Sequence, residues 1–199
     1  MSSQNWARRS FLQSALAISA SPHALQIFSG NESQPQTAGG AGLATGAFAV
    51  NPGATRPGKD IPVRGTFISV KVSGDDNGGG FALFEVPASP GSGPPMHMHH
   101  VENECFYVLE GALKVQVGAE LFTLEPGGSV YLPKMIPHTW QTLGQKNVRL
   151  LSFAQPAGRL EAYVVALSEL MSRGIPDSAS MKTLFEKYDM EMTGPPLPV

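Results

Sequence analysis

A single cysteine, Cys105, excludes an intramolecular disulfide, so the core must be stable without one, and cysteine usage says little about compartment. Charge is also sparse. Only 15% of the residues are charged, 14 Lys and Arg against 16 Asp and Glu, scattered rather than blocked, for a net charge of -2. That pattern leaves no electrostatic footprint for nucleic acid and points to small molecules, or copies of the chain itself, as partners. Beyond the N-terminal stretch no apolar run approaches the roughly 20 residues a membrane-spanning helix requires, so no membrane helix is expected. A length of 199 residues suits one well-buried domain with extensions.

Glycine and proline are abundant, 22 and 17, and they fall between short runs of Val, Ile, Phe and Leu. This is the punctuation of an all-β barrel or sandwich. Strands are expected at Thr66–Val72, Phe81–Val86, Met96–His99, Cys105–Leu109, Leu113–Val117, Leu121–Leu124, Val130–Leu132, Thr139–Thr142 and Val148–Phe153. Between them, Asp75 to Gly80, Glu110-Gly111, Gly118-Ala119-Glu120 and Pro126-Gly127-Gly128 supply turns. Short antiparallel strands at this spacing suit a jelly-roll barrel over residues 61–156.

After Pro156 the apolar period changes to about 3.6. Leu160, Tyr163, Val164, Leu167 and Leu170 form one stripe, Gly174 can serve as the C-terminal cap, and Pro176 blocks continuation. A second, shorter helix is expected from Ser178, with Met181, Leu184, Phe185 and Tyr188 inward. Residues 157–199 therefore read as a helical extension that packs on the barrel or at a dimer contact rather than entering a catalytic centre.

The N-terminal residues read as an address. Arg8-Arg9-Ser10-Phe11-Leu12 precedes an uncharged stretch rich in Ala, Leu, Ile and Ser, and residues 1–30 resemble a twin-arginine export signal. The expected location of the mature protein is then periplasmic or extracellular. Residues 31–60, rich in Gly, Ala, Thr, Pro and Gln, read as a linker with one early strand.

Three histidines carry metal-ligand logic. His97 and His99 are two apart and project from one face of a strand, so both imidazoles can reach one ion. Glu104 lies five beyond His99, which on an unbroken strand would turn it to the opposite face, so the chain must bend at residues 100–103. The next strand then places Glu104 and Phe106 together, with Cys105 on the other face. His138 follows a segment stiffened by Pro133 and Pro137, with Trp140 on its own face. His100 alternates away from His99, and Glu102 reads as a solvated turn residue. Phe106 and Trp140 either line a substrate pocket or fill the barrel.

Gly91, His97, His99, Glu104 and Gly111 match the pattern G-x5-H-x-H-x4-E-x6-G, and Gly127, Pro133 and His138 match G-x5-P-x-G-x2-H-x3-N. In these motifs the chain resembles the cupin superfamily, and the run from Pro95 to Gly111 is similar to single-domain cupins of the quercetin 2,3-dioxygenase-like group. Met135 and Thr142 depart from the second motif, where Gly and Asn are usual, yet every ligand position is kept. If Met135 adopts positive φ, the strain is of order 1 kcal/mol.

Three imidazoles and a carboxylate suit one divalent transition metal, and the resemblance favours Fe or Mn, with Ni, Co or Zn also compatible. Four protein ligands leave open coordination positions, the mark of a reactive site. In the enzymes of this group, the residue equivalent to Glu104 also takes a proton from a substrate hydroxyl, which makes Glu104 the candidate catalytic base. The resemblance thus implies a dioxygenase acting on an enolic or phenolic small molecule. Two alternatives stay open: an oxygen-independent lyase, decarboxylase or isomerase, and a non-catalytic binding cupin. A small diacid substrate would favour an inward cation, and Arg149 is the sole arginine between the metal motifs and the helices. The resemblance also implies a homodimer.

Overall fold

Alternating burial is what divides each short segment into an inner and an outer face. In the computed structural model, which describes residues 46–198 apart from 58, 64 and 65, the clearest case is Asn103–Glu110. There Glu104, Phe106 and Val108 are buried while Cys105 and Tyr107 lie outward. The arginine pair and the uncharged stretch that follows it lie outside the described residues.

Eleven strands and two α-helices are present among the described residues: β1 Asp60–Val63, β2 Thr66–Val72, β3 Ala82–Ala88, β4 Met96–His99, β5 Asn103–Glu110, β6 Ala112–Val117, β7 Glu120–Leu124, β8 Ser129–Leu132, β9 His138–Leu143, β10 Val148–Gln155, α1 Leu160–Ser172, α2 Ser178–Lys187 and β11 Met190–Gly194. One sheet runs β1-β2-β3-β10-β5-β8 and the other β11-β4-β9-β6-β7. All their pairings are antiparallel. From β3 to β6, and again from β7 to β10, the chain crosses between sheets at each step, which is the jelly-roll habit. The hydrogen bonds place the strands in two facing sheets, the layered form of the jelly roll that the strand spacing suggested.

Two apolar clusters fill the interior. Phe106 and Val108 of β5, Leu113 and Val115 of β6, Val130 and Leu132 of β8, and Val148 and Leu150 of β10 interlock between the sheets. At the other end Val70, Phe84 and Ala154 meet Leu160, Tyr163 and Val164 of α1 and Leu184 and Phe185 of α2. Burying each large side chain of this kind contributes about 1.5–3 kcal/mol. The turn at Gly111 between β5 and β6 admits no side chain: φ is 75°, and a Cβ would lie 2.9 Å from the Asn147 carbonyl oxygen.

The helices form where the 3.6-residue period places them. Asp177 caps α2, its carboxylate accepting from the Ser180 N–H at 2.7 Å. One element is new. Met190–Gly194 is a strand, so the extension after the helices returns to the sheet and pairs with β4, Met190 opposite His99 and Met192 opposite His97. Five residues alternating methionine with Glu and Thr are too short a pattern to stand out without their partner strand.

Candidate metal centre

β4 turns His97 and His99 to the interior, with the side chains of Met96 and Met98 on its other face. The expected bend follows at residues 100–102, and it is pinned by backbone hydrogen bonds: His100 N–H donates to the Asp189 carbonyl at 2.9 Å, and Met135 N–H donates to the His99 carbonyl at 2.8 Å. After the bend, β5 brings Glu104 inward. β9 supplies His138, directly opposite His97 in register. Ligand atoms of His97, His99, Glu104 and His138 all lie within 4.8 Å of one another, and all four residues are buried.

The outer nitrogens of the imidazoles are already committed. His97 Nδ1 lies 2.8 Å from the Pro95 carbonyl oxygen and His138 Nδ1 lies 3.0 Å from that of Ile136. A carbonyl only accepts, so both Nδ1 atoms carry the proton and both Nε2 atoms present a lone pair inward. His99 Nδ1 lies 3.3 Å from Glu102 Oε2, another acceptor. Glu104 divides its oxygens: Oε1 accepts from the Ser152 hydroxyl at 3.0 Å, and Oε2 stands 3.5 Å from both His99 Nε2 and His138 Nε2.

A buried imidazole lone pair that faces a carboxylate oxygen needs a cation between them. His138 Nε2 is buried without any hydrogen-bond partner, an arrangement that is costly unless a metal takes the position. Protonation agrees. Burial, reinforced by the neighbouring His138 and His99, lowers the His97 pKa to about 3. Burial works against the Glu104 carboxylate, but His99, His138 and His97 outweigh it and hold its pKa at about 2. Burial also opposes protonation of His99, yet Glu104 and Glu102 together raise its pKa. An ionised carboxylate beside a neutral His97 is the ligand state a divalent cation requires.

Both departures from the second motif have a structural account. Met135 adopts φ 64°, the left-handed conformation a glycine would take without strain. Thr142 Oγ1 donates to the Ser89 carbonyl at 3.0 Å and accepts from the Ser92 N–H at 3.1 Å, tying the segment before β4 to β9. Phe106 is buried in the inter-sheet core, and Trp140 packs against the same cluster, two residues along from His138. Cys105 lies on the opposite face of β5 from Glu104. His100 is on the surface, 3.6 Å from Glu191. Arg149 points out of the sheet, pairing with Glu85 at 3.3 Å and Glu110 at 2.7 Å.

Two expectations change here. Glu102 is not a solvated turn residue: it is 1% exposed and holds His99. The helical extension also reaches the centre, because Phe185 of α2 stacks on His97 with ring centroids 5.0 Å apart, and Tyr163 of α1 stacks on Phe185 at 5.5 Å. Ser152 had a sequence signal, a hydroxyl at an inward position of β10 between Leu150 and Ala154. Glu102 and Phe185 had none, since their partners come from distant segments.

Residues 84–154 match the family model described as Cupin domain. That segment runs from β3 to β10 and contains all four candidate ligands, and with the fold it supports the cupin superfamily. An uncharacterised protein of Methanocaldococcus jannaschii is 28% identical over 75 residues, 38% of this chain and 60% of that protein. The chain therefore spans less than two thirds of that relative's length. Among solved structures, KdgF from Halomonas sp. is similar at a TM-score of 0.47 and 18% identity, over 56% of this chain and 94% of that one. The Schizosaccharomyces pombe Cnp3 cupin domain is similar at a TM-score of 0.42 and 21% identity, over 57% of this chain and 74% of that one.

Proposed function

We propose that the protein is a metal-dependent dioxygenase acting on an enolic or phenolic small molecule, of the quercetinase-like kind. The observation that carries the metal reading is the inward convergence of three Nε2 atoms and Glu104 Oε2, with His138 Nε2 left without a partner. A bound Fe(II) or Mn(II) would supply Lewis acidity and open positions for substrate and oxygen. His97, His99 and His138 would hold it as neutral ligands, each oriented through its own Nδ1 contact.

Glu104 is suited to take the substrate's hydroxyl proton. Its Oε2 faces the interior while Ser152 holds Oε1, so the carboxylate is aimed before substrate arrives. Aromatic rings on the helix side, Phe185 and Tyr163, pack in sequence behind His97 and give that flank of the site an apolar backing. The outward pairing of Arg149 favours this reading over a lyase or decarboxylase of small diacids, because the one arginine raised for that role is engaged with Glu85 and Glu110.

The test is metal analysis of protein purified without added metal, followed by oxygen-electrode assays of the Fe(II)- and Mn(II)-loaded forms with flavonols, catechols and β-diketones. Oxygen uptake with one of these classes is the expected result. Turnover without oxygen would replace the proposal by lyase chemistry, and tight binding without product would replace it by a storage or sensing role. Export by a twin-arginine route and assembly as a homodimer belong to the same proposal; N-terminal sequencing of a periplasmic fraction and light scattering test them.

A further inference from the structure

Glu102 occupies an unusual position for a carboxylate. It is 1% exposed, on a bend that the sequence pattern would leave in water, and an ionised carboxylate is buried at high cost unless both oxygens are satisfied. Both are satisfied. Oε2 lies 3.3 Å from His99 Nδ1, and Oε1 accepts from the Arg159 N–H at 2.9 Å, at the N-cap residue just before α1. The N-terminal end of that 13-residue helix, positive by its aligned peptide dipoles, favours the anion there.

The neighbouring backbone is shaped to admit this carboxylate. Gly158 has φ 52°, and a Cβ on it would lie 1.9 Å from Glu102 Oε1 and 2.5 Å from Cδ. Any side chain at 158 would evict the carboxylate from its place. His97 and His138 direct their Nδ1 atoms at backbone carbonyls, so His99 alone among the three is held by an acid.

We infer that Glu102 is a positioning residue of the metal centre, holding the Nδ1–H tautomer of His99 so that Nε2 faces the ion, while its second oxygen ties that ligand to the start of α1. This rests on reading the four-residue cluster as a metal centre and is independent of any oxygen chemistry. A carboxylate behind a ligating imidazole fixes the ring and makes it a stronger donor. The isosteric amide cannot replace it. With Glu102→Gln, two N–H donors, His99 Nδ1–H and Arg159 N–H, meet one oxygen and one NH2 group. The conflict is relieved when the His99 proton moves to Nε2, which removes the lone pair from the ion, or when the contact to α1 is lost.

The experiment uses the full chain and zinc alone, with affinity measured by competition against a chromophoric chelator. Wild type is expected to bind one zinc, and Glu102→Gln to bind it about 10- to 100-fold more weakly. Equal affinities would overturn the positioning role while leaving the metal centre standing. A wild type that binds no zinc would overturn the metal reading and this inference with it. A second measurement needs no variant: in the zinc-loaded wild type, the Nδ1–H proton of His99 should resonate downfield of those of His97 and His138, whose acceptors are carbonyls. Coincidence of the three, or His99 upfield, would overturn the role whatever the variant does.

Discussion

The ring of Phe185 lies flat on the imidazole of His97, 5.0 Å between centroids at an interplanar angle of 20°. The two residues are far apart in sequence, and the contact makes α2 one wall of the candidate metal centre. Phe185 is fully buried, in the same apolar cluster as Val70, Phe84 and Tyr163. Replacing it with alanine removes that wall. Phe185→Ala is expected to cost about 3–5 kcal/mol of stability and to weaken metal binding as well, since His97 loses the ring that fixes its plane. Thermal unfolding of the apo and metal-loaded variant checks both; an unchanged metal affinity would show that His97 is positioned from β4 alone.

Metal should stabilise the native state by mass action. At a free concentration a hundredfold above the dissociation constant the gain is about 2.7 kcal/mol, visible as a rise in melting temperature that a chelator reverses. His138→Ala removes one Nε2 donor and should abolish the rise. Persistence of the full shift in that variant would mean that the ion binds elsewhere.

Met135 carries a left-handed backbone at φ 64° while its side chain is exposed. A β-branched residue tolerates that conformation less well, so Met135→Ile is expected to destabilise by about 1–2 kcal/mol. Met135→Gly relieves the strain against a comparable entropic cost and should stay within about 1 kcal/mol of wild type. Denaturant titration ranks the three, and an isoleucine variant as stable as wild type would remove the strain account.

Arg56 holds the Asp76 carboxylate through two hydrogen bonds, Nε to Oδ2 at 3.0 Å and Nη2 to Oδ1, while the Ser73 N–H donates to Oδ2 at 2.9 Å. The Arg56 hydrogen bond is the main reason the Asp76 pKa falls below the ordinary carboxylate value, against a smaller opposing effect of burial. A depressed folded-state pKa gives stability that is present above the unfolded value, about 3.9 for aspartate, and is lost as pH falls through the folded value. Asp76→Asn should therefore be less stable than wild type at neutral pH, with the gap closing under acid. A gap that does not change with pH would assign the effect to packing.

Much of the candidate site was legible in short-range spacing. His97 and His99 share a face because strand side chains alternate, and Glu104 returns to that face only if the chain bends between them, as it does at residues 100–102 before β5 begins at Asn103. His138, two residues before Trp140, follows the same alternation on β9. Glu102 was misread because its burial depends on Arg159, 57 residues later, and on the missing side chain of Gly158. Local polarity gives a turn glutamate to solvent unless a distant segment closes over it.

What the sequence determined by itself is the set of faces: which residues of each strand turn inward, where glycines and prolines end the strands, the apolar stripe of α1, and the four candidate ligand positions. All of these follow from periods of 2 and 3.6 acting over a few residues. Tertiary structure alone decided how those faces are covered. It paired Met190–Gly194 with β4, laid Phe185 on His97, aimed Ser152 at Glu104 across 48 residues, and turned Arg149 outward to its acidic partners. Partners so far apart in the chain meet only when two sheets and two helices pack on one interior, and no local period records which of them will meet.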